Sequence, residues 1–168
     1  PLPTEDSEPN AAMDRGNRLE PVLLDWFGDQ HGVKVITPDV LYVNGRLLAT
    51  LDGIPVGNDD ELVEAKSTRQ RWEEPPEHVR LQIVAQCAAS GRRAGWCVWL
   101  DSSMELQEQL FTPDPAEIHD VLDRAERFMD FIDLKMLPEG IVLSAENVQA
   151  LYPIPEADKY IDLDDDGL

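Results

Sequence analysis

Positive charge is what this 168-residue sequence has least of: 14 Lys and Arg stand against 34 Asp and Glu, for a formal net charge of −20. A protein that grips a phosphate backbone regardless of its sequence needs a basic surface, so the shortage argues against non-specific nucleic-acid binding. Much of the acidic excess is terminal. Glu5, Asp6 and Glu8 lie in a Pro-rich opening, and Glu156, Asp158, Asp162 and Asp164 to Asp166 lie in the tail, where such blocks are solvated or disordered. Cysteine is scarce too. Cys87 and Cys97 sit in an apolar helix pattern and an apolar strand pattern, so they read as small buried hydrophobes rather than a disulfide. Two thiols also cannot by themselves hold a four-cysteine iron–sulfur cluster. No apolar run approaches the roughly 18 residues of a membrane span, and no basic-then-apolar leader opens the chain, so the expectation is a cytoplasmic protein. Because the sequence starts at Pro1 rather than a methionine, native residues are expected to precede it. A phosphate-binding P-loop, a dinucleotide fingerprint and a nucleophile elbow are missing, and His31, His78 and His119 lie too far apart in sequence to suggest a zinc site.

What is present is enough for one ordinary domain: 42% of the residues are apolar, which a chain of this length can use for a single core. Residues 1–10 form an acidic, Pro-rich arm. Met13, Leu19, Leu23, Leu24 and Phe27 recur at helical spacing up to Gly28, a candidate stop. Three short β-rich runs follow, Val33–Thr37, Val40–Val43 and Arg46–Leu51, with Asn44-Gly45 as a hairpin signal between the last two. Gly57 to Asp60 turns the chain into Leu62–Ser67, completing an expected antiparallel meander. After Pro75-Pro76 the pattern predicts a helix over Glu77–Ser90, then a buried central strand at Ala94–Leu100, an edge strand at Glu105–Phe111 and a helix from Ala116 to about Lys135. The order is roughly αβββαββα, with the main domain over 11–136 and an extension with an acidic tail over 137–168.

Side chains alternate along a strand, so Glu64 and Lys66 share a face. Asp52 ends the preceding apolar run, where Gly53 lets the backbone turn, and antiparallel pairing would bring it to Glu64. Two carboxylates brought that close repel one another unless a cation shares them. An oxygen-preferring ion such as Mg²⁺ or Mn²⁺ meets that need, and a neighbouring lysine could handle a water or steady a phosphate, which is the chemistry of phosphodiester hydrolysis. Taken alone, D-x(11)-E-x-K is a weak signal, and a charged turn with an exposed strand face accounts for it better than a site does. Two further features add to it. Glu20 lies on the inward stripe of the first helix, although pairing with Arg15 or Arg18 is an alternative; His78, Gln82 and Gln86 form a polar i, i+4, i+8 line, although a surface stripe is another.

In order, "AAMDRGNRLEPVLLDWF", "LLATLDGI", "LVEAKS", "LQIVAQCAASG" and "AGWCVWL" resemble the YqaJ-type viral recombinase exonucleases, relatives of lambda exonuclease in the PD-(D/E)XK nuclease superfamily. The resemblance implies a mixed α/β fold: a central mixed sheet flanked by helices, with a restriction-endonuclease-like core. It further implies a metal-dependent DNA exonuclease acting in phage recombination beside a single-strand annealing partner. Glu20, Asp52, Glu64 and the carbonyl of Ala65 would then hold Mg²⁺ or Mn²⁺, Lys66 would position the attacking water, and Gln82 would complete its shell. Arg69, Arg71, Arg92 and Arg93 are candidates for phosphate contact, and the likeness extends to a toroidal trimer. The alternatives are a RecB-like endonuclease and a catalytically silent nuclease fold used for interaction. Three departures stand out: Leu51 replaces the family's usual proline before the aspartate, the family's basic N-terminal segment is not in this sequence, and the acidity is higher than expected.

Overall fold

In the computed structural model, which describes residues 11–136, the apolar repeat from Leu19 to Phe27 winds into helix α1 (Ala11–His31). Leu23, Leu24 and Phe27 are buried, whereas Met13 is 48% exposed, so only the C-terminal half of α1 packs into the core. Gly28 does not stop the helix. The helix runs on to His31 and is closed by Gly32 at φ 65°, with the Val33 N–H bonded to Gly28 O at 2.9 Å, a Schellman closure. Gly28 is needed for another reason: a Cβ there would lie 2.6 Å from Val33 O.

The expected single meander of four runs is instead split among three separate sheets, with five strands before the second helix. Strand β1 (Val35–Ile36) pairs antiparallel with β4 (Ile54–Pro55), and β2 (Tyr42–Asn44) with β3 (Leu47–Ala49). The hairpin turn is Gly45-Arg46, one residue later than expected. Gly45 alone takes positive φ there (59°), so the turn is not of the type that needs it at both central positions. Strand β5 (Glu61–Ser67) forms no ladder with β4, the strand before it. Its ladder is parallel to β6 (Ala94–Leu100), and β6 pairs antiparallel with the edge strand β7 (Leu106–Phe111). The physical reason is burial on both faces. A parallel pair needs a crossover helix to cover it, and helix α2 (Glu77–Ser90), bounded by Pro76 and a left-handed Gly91, is that crossover.

Alternation along the strands then sorts the core. Leu62, Cys97 and Trp99 face Val79, Ile83 and Cys87 of α2, while Val63 and Val98 face Leu23, Leu24 and Phe27 of α1. Each fully buried Leu, Ile or Phe contributes about 1.5–3 kcal/mol relative to exposure. Helix α3 (Pro115–Asp133) follows and begins with an Asp114 side chain that accepts the Ala116 and Glu117 N–H groups at 2.8 and 2.9 Å. The chain divides into two compact units, Pro1–Asp130 and Phe131–Leu168. Of the second, the described residues are the end of α3 and a turn closed by the Met136 N–H on Phe131 O at 2.9 Å. The acidic arm and the C-terminal extension lie outside the described residues. Among those described, no helix is long and apolar enough to cross a membrane.

Both cysteines are free and buried, as their patterns suggest. Burial pushes the Cys87 thiol up to about 11 and the Cys97 thiol up to about 12. Neither thiol should react with an aromatic disulfide reagent at pH 8 in the native protein, and both should react in denaturant. Prompt labelling of the native chain would contradict this packing.

Candidate active site

Four elements meet at the C-terminal end of β5. A β-bridge sets the geometry: Gly53 and Val63 exchange N–H···O bonds of 3.0 and 2.9 Å, which carries Asp52 to the level of Glu64 and Ala65. A side chain at 53 has no room, since a Cβ would lie 2.6 Å from Val35 Cγ1 and 2.9 Å from Leu24 Cδ2. Asp52 Oδ2 then accepts the Ala65 N–H at 2.9 Å.

Glu64 is 1% exposed, a carboxylate in the core face between β5 and α2. A charge so placed requires partners. Lys66 Nζ donates to its Oε1, Gln82 Nε2 donates to the same oxygen at 2.7 Å, and Gln86 Nε2 donates to Oε2 at 2.6 Å. Glu64 and Lys66 therefore do share a face, and two of the three polar residues on the α2 line serve one carboxylate. His78, the third, is exposed.

Glu20 completes the group from α1. It lines one cavity of about 340 Å³ together with Asp52, Glu64, Ala65, Lys66 and Gln82. Arg18 takes Asp14 as its partner at 3.0 Å and leaves Glu20 to the cavity. The electrostatics follow from crowding. Burial, and then the Glu64 charge, raise the carboxyl of Glu20, and the same causes push Asp52 up to about 7. Three acids facing one lysine make a site short of positive charge. Among the described residues no three His, Cys, Asp or Glu side chains lie close enough together to hold a metal ion as they stand.

The four arginines divide. Arg69 follows β5 beside the site, and Arg71 lies close enough to Asp101 to lower that acid's proton affinity. Arg92 and Arg93 lie at the other end, about 20 Å along β5 by strand rise. There Arg92 donates to Asp59 O and lies 5.9 Å from the Tyr42 ring centre, and Arg93 pairs with Asp60 at 3.8 Å.

Two residues beyond the sequence-based site set matter. Gln86 is 3% exposed, donates to Glu64 and to Thr50 O, and leaves its own Oε1 without a partner. Its i+4 spacing from Gln82 inside an apolar helix is the signal that points to it. Asp101 is 4% exposed at the end of β6. It accepts the Trp72 N–H at 2.9 Å and the Ser103 N–H at 2.7 Å, tying the loop after β5 to the loop after β6. Hydrogen bonds from Ser103, first its hydroxyl and then its N–H, hold the Asp101 carboxyl below its ordinary range. No spacing in the sequence marks it.

The helix-covered mixed sheet that carries this cluster is shared with solved exonuclease structures. The chain is similar to an alkaline exonuclease, LHK-Exo, from Laribacter hongkongensis: 24% identity, TM-score 0.57, covering 77% of this chain and 76% of that one. A structure of LHK-Exo in complex with dAMP superposes at TM-score 0.64 with 22% identity, over 75% and 70% of the two chains. A phage-related exonuclease from Haemophilus somnus 129PT shares the fold at TM-score 0.57 and 11% identity, over 78% and 76%. No curated protein matches at the sequence level. The YqaJ-like viral recombinase domain matches residues 2–93, more than half of the sequence, and the chain belongs to that family.

Proposed function

We propose that the chain is a divalent-cation-dependent deoxyribonuclease that removes nucleotides from the ends of linear duplex DNA. The observation that carries this reading is the convergence of Glu20, Asp52, Glu64, Lys66 and Gln82 on one cavity of about 340 Å³. The donor set fits a hard cation: carboxylate oxygens and the Ala65 segment, with burial and mutual repulsion raising Glu20 and Asp52. Mg²⁺ or Mn²⁺ held by Glu20, Asp52, Glu64 and the Ala65 carbonyl supplies charge stabilisation to the phosphate when bound.

The protein groups divide the remaining work. Lys66 reaches the cavity on the same strand face as Glu64, so its ammonium can hold the attacking water and then steady the charge that develops on the phosphate. The Gln82 amide, fixed by Glu64, restricts the water's orientation. Gln86 locks the far oxygen of Glu64, so the carboxylate cannot rotate away. The Asp52 carboxyl must be ionised to act with them, and the burial and Glu64 charge that raise its proton affinity are what a bound cation would offset. Digestion from duplex ends would leave a single strand, the substrate of an annealing recombinase.

The test is release of nucleotides from linear duplex DNA with Mg²⁺ or Mn²⁺, compared among wild type, Lys66→Ala and Asp52→Asn. The variants should lose at least a hundredfold. Equal activity in all three would overturn the reading, and cleavage of covalently closed circles would replace it with an endonuclease.

A further inference from the structure

Beside the acidic cavity lies a second cleft, of about 360 Å³ and largely apolar. Leu19, Leu100 and Met104 are its apolar side chains, and Arg15 and Arg69 stand on its lining. Arg15 and Ser67 belong to both spaces, so the cleft begins one residue beyond Lys66 along β5. Its single acid, Asp101, is already bonded to Trp72 and Ser103. In a chain of net charge −20, neither Arg15 nor Arg69 has an acidic partner within ion-pair distance among the described residues.

Met104 is the most exposed large apolar side chain of the described residues, at 72%, and it holds a left-handed backbone at φ 62°. A non-glycine residue rarely adopts that conformation without something to hold it. Here the Met104 N–H bonds Asp101 O at 3.1 Å, within the loop that the Asp101 carboxylate fixes. An exposed thioether is thus set rigidly at a cleft mouth, where a polarisable sulfur can lie against a flat ring.

We propose that this cleft receives the nucleobase of the nucleotide next to the scissile phosphate, unstacked from the duplex, with Met104 and Leu19 against its face and Arg15 and Arg69 toward the flanking phosphates. The inference rests on the nuclease reading. It commits to a nucleobase because the space combines apolar walls, unpaired cations and continuity with the phosphodiester site. A base stacks on such walls whatever its identity, so the cleft gives grip without sequence preference.

The experiment uses the full chain, Leu19→Ala and Met104→Ala, and two linear duplexes: one unmodified, one with an abasic site at the terminal nucleotide of the cut strand. On unmodified DNA each variant should lose about tenfold in kcat/KM. Wild type should lose a similar factor on abasic DNA, where the variants lose little more. Full additivity of the two losses overturns the cleft. A second readout needs no cleavage. With Ca²⁺ present, emission of a terminal 2-aminopurine should change on binding to wild type and much less with either variant. An identical change in all three, or none with wild type, also overturns it. If Lys66→Ala cleaves as well as wild type while the 2-aminopurine result holds, the nuclease reading fails and the base-binding cleft stands.

Discussion

Asp52→Asn should abolish DNA cleavage and, at pH 8 without divalent ions, make the protein more stable. The sign follows from the direction of the shift. Asp52 is raised from 3.8 to about 7 in the fold by burial and by Glu64. The native state therefore binds this proton more tightly than the unfolded chain does. Its relative contribution to stability is fully present below about pH 4 and is lost as pH rises through about 7. Above that, wild type carries a buried charge that the asparagine lacks, while the asparagine Oδ1 can still accept the Ala65 N–H. Three pK units correspond to about 4 kcal/mol, and the remaining solvent access of Asp52 reduces the expected gain to about 2–3 kcal/mol. Thermal melts of both proteins at pH 4 to 9 would show the curves diverging through neutrality. Parallel curves would mean that Asp52 is not desolvated as described. Added Mg²⁺ or Mn²⁺ should stabilise wild type and not the variant, closing the gap.

The second large effect concerns Lys66. Lys66→Met removes the only ammonium that the described residues place on Glu64, which is 1% exposed, and leaves it two neutral amides. Breaking a buried pair from one side costs about 3 kcal/mol. Cleavage should fall by about a thousandfold. Adding Glu64→Gln to Lys66→Met should recover much of the stability and none of the activity, because Gln86 Oε1 is free to accept from the new amide. A double-mutant cycle in denaturant should give a coupling of about 2 kcal/mol, and additive losses would show that the two groups do not interact.

Much of the site was legible because local rules carry it. The i, i+2 alternation puts Glu64 and Lys66 on one face, and Pro75-Pro76 and Gly91 bound the helix that supplies Gln82. Glu20 was visible as an acid on an apolar stripe. The pairing of β5 was not legible, because the choice between the strand before it and β6, some thirty residues later in the chain, is made by helices covering both faces. The Asn44-Gly45 signal located a hairpin but missed its register by one residue. Arg92 and Arg93 follow the site's helix in sequence yet start the strand rather than end it, since a crossover returns the chain to the opposite end of a parallel pair. Asp101 escaped notice because it acts on backbone N–H groups, which no side-chain pattern announces.

The bridge between Gly53 and Val63 has a kinetic consequence. Asp52 is brought to Glu64 by one residue pair, whereas Glu64 and Lys66 are held by a ladder of seven pairs between β5 and β6. The two halves of the acid cluster therefore belong to different opening units. Glu64 and Lys66 separate only with the sheet, but Asp52 can swing out when three hydrogen bonds break, the two of the bridge and its own from the Ala65 N–H. Exchange between the acid cluster and solvent is then governed by a local opening, far faster than the unfolding that would be needed had both acids sat on the same ladder.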